Sequence, residues 1–201
     1  MLKVRHLLHL LLMIPFDFNT LTVRQYQVLN EIFDSEAELL DKQINAIAYL
    51  LGRSTIWVES LPLDKFKYYA GQLTFIKQPN INTKIKKYVF VGGVLFKAET
   101  EFEKLLAGQY IDLKELAKDG SGVKNLHKLL ACIYKPVFFK YDHKKCSEIM
   151  LNAKLGKVYG LLFFCTSELE RLNDYILMSL EEANKTIAEA MNEMKTELEA
   201  L

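Results

Sequence analysis

"KKYVFVGGVLFKAE", residues 86–99, is the stretch that decides the fold. Two apolar runs rich in β-branched and aromatic residues, "YVFV" and "VLFK", flank Gly92-Gly93. A two-residue turn needs positive φ at both central positions, which glycine accepts without strain, so the stretch reads as a β-hairpin. A lone hairpin is marginal in water and must pack on helices or pair with another strand. "QLTFIKQ", residues 72–78, has the same texture and predicts that third strand. Residues 72–98 are then a β insertion in a chain whose remaining periodicity is helical. The expected fold class is mainly α with a small β-hairpin insertion (α+β), built on two helix–turn–helix units and a long C-terminal amphipathic helix.

The two helical units flank the hairpin and echo each other. "LTVRQYQVLNEI", residues 21–32, and "LLAGQYIDLKEL", residues 105–116, share a leucine, Gln-Tyr, a second leucine and a glutamate before an apolar residue. Thr22 and Gln25 form a T-x-x-Q capping box at the start of the first helix. "LLDKQINAIAYLLG" follows as its partner, with Gly52 as C-cap. In the second unit "KDGSG" is the turn, and "VKNLHKLLACIY" presents Leu126, Leu129, Leu130 and Ile133 on one face before Pro136. Duplication and convergence on a common helical pattern both explain the echo. The repeat predicts pseudo-symmetric packing that brings Tyr26 and Tyr110 to similar positions. Between the first unit and the hairpin, "LPLDKFKYYA", residues 61–70, reads as a short helix favoured by Pro62 and Asp64.

The two ends carry apolar helical patterns of their own. Leu169, Leu172, Ile176, Leu180, Ile187, Met191, Met194 and Leu198 step by threes and fours along a seam that runs to the last residue. If the helix starts near Lys154 it is roughly 60 Å long, at about 1.5 Å per residue. A chain of this size is hard pressed to cover it, so the seam is expected to bind another chain or to fold back. At the start, Lys3 and Arg5 precede an apolar block, as in a signal peptide, but His6 and His9 interrupt it and no small-x-small site follows. A short buried or interface helix ended by Pro15 is expected instead. The expected division is an apolar helix at 1–15, a core domain at 16–140 and the long helix at 141–201.

Composition narrows the function classes. The chain has 26 basic and 25 acidic residues, a balance that argues against a dedicated nucleic-acid binder. No run reaches the roughly 18 apolar residues of a membrane span. Three cysteines at unrelated spacings fit a reducing compartment.

Candidate chemistry is sparse. Asp142-His143-x-x-Cys146 has metal-ligand residue types, but a closed zinc site wants four ligands, and His127 and Cys132 lie on an apolar helix. Cys132 and Cys165 sit in apolar runs, where cysteine is ordinary packing rather than a nucleophile. Gln25-Tyr26 and Gln109-Tyr110 read as structural anchors, with the ring buried and the hydroxyl wet. Trp57 is a core or interface anchor. Lysines between Lys77 and Lys104 interleave with Tyr88, Phe90 and Phe96. Such strands either bind single-stranded nucleic acid or carry lysines as a wet face and edge guard. No catalytic residue, cofactor or metal is expected.

Ile47, Leu50, Leu51, Gly52, Leu61 and Asp64, set in "DKQINAIAYLLGRSTIWVESLPLDKF", carry a resemblance. With "LTVRQYQVLNEI" before them, they are similar to the opening of bacteriophage tail-assembly-chaperone-like proteins. "LLAGQYIDLKELAKDG…NLHKLLACIYKPV" resembles segments of structural-module proteins from phages of Bacteroidota. The likeness spans roughly residues 15–140, while the N-terminal block and the C-terminal helix lie outside it. It implies a non-enzymatic virion or assembly protein in head–tail or tail morphogenesis, as a ring, cargo or chaperone. Its implied partners are phage structural proteins or itself, in the virion or the cytoplasm of the infected cell. The alternative is a small nucleic-acid-binding or regulatory helical protein.

Overall fold

The computed structural model describes residues 17–77, 80–101, 107–117 and 122–164, with the single positions 167, 171, 178 and 185. The predicted helix at 1–15 lies outside them, as do Leu169, Leu172, Ile176, Leu180, Ile187, Met191, Met194 and Leu198. The chain divides into two compact units, residues 1–162 and 163–201. The described positions of the second unit are helical.

The first unit is mainly helical with one small antiparallel sheet. After a 3-10 turn at Phe18–Thr20, its helices are α1 (Val23–Asp34), α2 (Leu39–Leu51), α3 (Thr55–Glu59), α4 (Leu63–Gln72) and α5 (Thr74–Lys77). The hairpin is β1 (Tyr88–Val91) and β2 (Val94–Ala98). Then come α6 (Ala107–Ala117), α7 (Leu126–Ile133), β3 (Tyr134–Pro136) and α8 (His143–Met150), and residues 155–162 are helical again.

Both helix pairs form where the apolar spacing places them. Thr22 and Gln25 make the expected box: Thr22 Oγ1 accepts from the Gln25 N–H (3.1 Å), and Gln25 Oε1 accepts from the Thr22 N–H (2.9 Å). Gly52 ends α2 at φ 61°, its N–H returning to the carbonyls of Ala48 and Tyr49. The shared Leu29 and Leu113 are both fully buried. The equivalence of the two units weakens beyond that. Tyr26 packs edge-on against Phe18, whereas the buried Tyr110 hydroxyl has no hydrogen-bond partner among the described residues.

The hub is α7, which buries Leu126, Leu129, Leu130, Ala131, Cys132 and Ile133 and packs against α1, α6 and α8. It runs directly into β3, and β3 is the third strand. The sheet order is β1-β2-β3, with Phe96 opposite Pro136 and Ala98 opposite Tyr134. This corrects the reading of residues 72–78 as a strand. Those described continue the helical run from α4, with the N–H of Leu73 on the Ala70 carbonyl and that of Ile76 on Leu73. The β-prone side chains there yield to a helix already propagating from Leu63.

The unit also runs past the expected boundary at residue 140. Cys146 and Met150 of α8 are buried, as are Leu155, Val158 and Leu161 beyond it. The chain at 151–155 is stitched to 21–24 by backbone bonds from Val23 to Ala153, Arg24 to Leu151 and Leu155 to Leu21. Residues 141–162 therefore belong to the core. No described helix is long and apolar enough to cross a membrane.

The extended segment 80–87 positions the hairpin. Asn19 Nδ2 donates to the Asn80 carbonyl (2.7 Å), and Asn19 Oδ1 accepts from the Asn82 N–H (3.0 Å). Gly160 leaves room for this segment, and Gly156, one helical turn before it, leaves room for Asn19. A Cβ on Gly160 would stand 2.6 Å from the Thr83 carbonyl oxygen. The hydroxyl of fully buried Tyr134 donates to the Lys86 carbonyl (3.0 Å), tying β3 to the approach to β1.

Candidate functional site

The Asp-His-x-x-Cys motif resolves into a clamp between two helices. Asp142 caps α8 by accepting from the Lys145 N–H (3.0 Å). The Tyr141 hydroxyl donates to the Ala131 carbonyl (3.1 Å), and His143 Nε2 lies 3.1 Å from the Lys128 carbonyl. Ala131 lies in the last turn of α7, where final carbonyls lack intrahelical donors, whereas Lys128 lies in its first turn. Gln109 of α6 hydrogen-bonds the Tyr141 side chain and draws a third helix into the clamp.

This geometry does not favour a Cys–His nucleophilic pair. Cys132 Sγ is 3.5 Å from His143 Nε2. That nitrogen also faces a carbonyl oxygen, which only accepts, and the tautomer with the proton there satisfies both atoms. In that tautomer it has no lone pair with which to take a proton from the thiol. Burial, reinforced by Asp112, pushes the Cys132 thiol up to about 11, and burial also raises Cys146. Both are packing thiols. Among the described residues no group of three or more His, Cys, Asp or Glu could hold a metal ion.

The paired Gln-Tyr residues serve different ends. Gln25 closes the cap of its own helix, while Gln109 reaches across to Tyr141. Tyr26 lines a small cavity of 130 Å³ with Phe18, Leu29, Phe33 and Tyr159. Burial, followed by the neighbouring Tyr159, raises its hydroxyl. Trp57 is half-buried with the Arg53 guanidinium 5.6 Å above its ring.

Two surfaces remain. The first is on α3 and α4. No side chain of α4 is fully buried; Leu63 is 67% exposed, Tyr68 is open, and Phe66 and Tyr69 are half-covered. On α3, Val58 is buried, yet Ile56 is 74% exposed.

The second surface is the sheet. Its inner face is Val89, Val91, Phe96, Ala98 and Tyr134, all buried. Between this face and α8 lies an 820 Å³ cleft lined by Phe96, Phe139, Tyr141, His143, Lys140 and Lys144 among others. The outer face carries Tyr88, Phe90, Leu95, Lys97 and Lys135. Tyr88 is 52% and Phe90 62% exposed.

Of the expected interleaving, Tyr88 and Phe90 share the outer face with Lys97, while Phe96 turns inward and is buried. What the sequence did not disclose is that Lys135, from beyond α7, joins the outer face through β3. No family model, curated protein or solved structure matches the chain.

Proposed function

We propose that the protein is a non-enzymatic bacteriophage virion or assembly protein that works by binding other structural proteins of the particle. The observation that carries the binding role is α4. A ten-residue helix with Leu63, Phe66, Tyr68 and Tyr69 and no buried side chain gains little from its own chain. A helix normally owes most of its stability to an apolar face packed on something else. The apolar seam from Leu169 to Leu198 in the sequence supplies a second surface of the same kind. The phage setting rests on the resemblance around Ile47, Gly52, Leu61 and Asp64.

The test is mass spectrometry of purified particles with copy number, combined with co-expression of the chain and the structural proteins encoded beside it. Wild-type chain is expected to form a defined complex by light scattering. Removing residues 169–201, or substituting Leu63→Glu with Tyr68→Glu, is expected to weaken it at least tenfold while the far-ultraviolet spectrum stays helical. A chain absent from particles, monomeric with every structural protein and indifferent to these changes, overturns the reading.

A further inference from the structure

We propose that the outer face of the sheet binds single-stranded nucleic acid, stacking bases on Tyr88 and Phe90 and holding phosphates with Lys97 and Lys135. Register places these groups side by side. Tyr88 lies opposite Lys97, Lys97 opposite Lys135, and Phe90 opposite Leu95. One row thus reads aromatic, lysine, lysine across three strands, and the next begins with an aromatic two residues along the same strand. Open aromatic faces beside cations are the elements of sequence-tolerant single-strand binding.

Edge protection accounts for Lys135, on the edge strand β3, but not for Lys97, which is on β2, the central strand. Nor is the face made stable by its charges. Lys97 and Lys135 are directly opposed, and like charges in that position repel. The carboxylate that follows on the chain, Glu99, accepts from the Glu101 backbone N–H. An anion seated between the two ammonium groups would relieve the repulsion.

Charge is segregated toward this part of the chain. Residues 80–98 and 134–136, the sheet strands and the approach to them, hold five lysines and no acidic residue. Of the 26 basic and 25 acidic residues in the chain, that leaves 21 basic and 25 acidic elsewhere. The near-neutral total conceals two segments of net +5 together against a remainder of −4, the sign expected of a polyanion site. Exposed Lys84, Lys86 and Lys87 lead into β1, and Phe138, 76% exposed, follows β3.

The experiment is fluorescence anisotropy of labelled oligothymidylate and oligouridylate, each about 20 nucleotides, with the full chain. Binding is expected at low salt for both. If four phosphates are neutralised, the log–log salt slope is about −3, a roughly 50-fold loss between about 50 and 200 mM salt. Tyr88→Ala with Phe90→Ala is expected to weaken binding about tenfold or more. Lys97→Gln with Lys135→Gln is expected to flatten the salt slope by about 1.4, at about 0.7 per phosphate. All four side chains are at least partly solvent-exposed, and thermal melts check that the variants stay folded. No binding at low salt, or affinity and slope unchanged in folded variants, overturns the proposal. Loss of a protein partner by the same variants, with no oligonucleotide binding by wild type, overturns it equally and makes the face a protein dock.

Discussion

At the scale of single residues, the histidines on and beside α7 show how position decides chemistry. His143 Nε2 lies 3.1 Å from the Lys128 carbonyl and 3.5 Å from Cys132 Sγ, and a proton on it satisfies the carbonyl rather than the thiol. His127 faces α1, where Gln27 Nε2 lies 3.0 Å from His127 Nδ1 and also donates to the Val123 carbonyl (2.8 Å). The same nitrogen donates to the Lys124 carbonyl (2.6 Å), so Gln27 holds the turn before α7 against α1 beside the ring. Burial, then Lys128, holds His127 below the ordinary imidazole value. The folded chain thus takes up this proton less readily than the unfolded chain. The stability it contributes is fully present above about pH 6.5 and is lost as pH falls toward the lower folded value. Urea midpoints measured from neutral pH down to about pH 5 are expected to fall, and His127→Gln is expected to flatten that fall. An identical acid limb in the variant would assign it to other groups. The thiols give a second check. Because burial raises both Cys132 and Cys146, an aromatic disulfide reagent is expected to modify them no faster than the protein opens. Fast reaction in the native state would contradict the packing role.

At the scale of elements, two helical glycines separate propensity from packing. Gly71 in α4 has nothing within 4 Å of where a Cβ would stand, whereas at Gly160 that Cβ would meet the Thr83 carbonyl oxygen at 2.6 Å. Gly71→Ala is expected to stabilise by up to about 1 kcal/mol through helix propensity alone. Gly160→Ala gains the same propensity but must displace the segment leading to β1, and is expected to destabilise by about 1–3 kcal/mol. Calorimetric melts read both signs, and equal shifts would show that the segment does not rest on the helix as described. The same contrast explains what was legible in the sequence. The box at Thr22 and Gln25, the cap at Gly52 and the turn at Gly92-Gly93 are local, each fixed by residue types within four positions. β3 was missed because Tyr134–Pro136 is too short to alternate visibly, and Pro136 reads as a stop. On an edge strand, proline costs no ladder donor that another strand needs. The stretch at 72–78 failed the other way, its β texture overridden by the helix it continues. The clamp of Tyr141 and His143 onto α7 was invisible, since nothing local pairs them with Ala131 and Lys128. Gly160 likewise gives no sign in sequence of the backbone it accommodates.

At the scale of the molecule, the first unit presents two surfaces of different character. The α3–α4 surface is apolar, with Ile56, Leu63 and Tyr68 exposed, while the sheet's outer face mixes aromatics with lysines. α4 packs chiefly on α2 and α5, and the sheet is joined to α7 through β3, so the two surfaces are built on different supports. Hydrophobic association depends weakly on added salt, whereas phosphate contacts are lost with it. The two binding events are therefore expected to separate in solution. Raising salt from about 50 to 200 mM should release an oligonucleotide while leaving a protein complex intact. Leu63→Glu with Tyr68→Glu should weaken the complex at least tenfold and leave oligonucleotide affinity within about twofold, and Lys97→Gln with Lys135→Gln should weaken oligonucleotide binding and leave the complex within about twofold. Effects at sites without shared partners usually add to within about 0.5 kcal/mol, so the fourfold variant is expected to show the sum of the two losses. Sedimentation with labelled oligonucleotide reads both events in one experiment. Strong coupling between them would mean that a single surface, or one moving element, serves both partners.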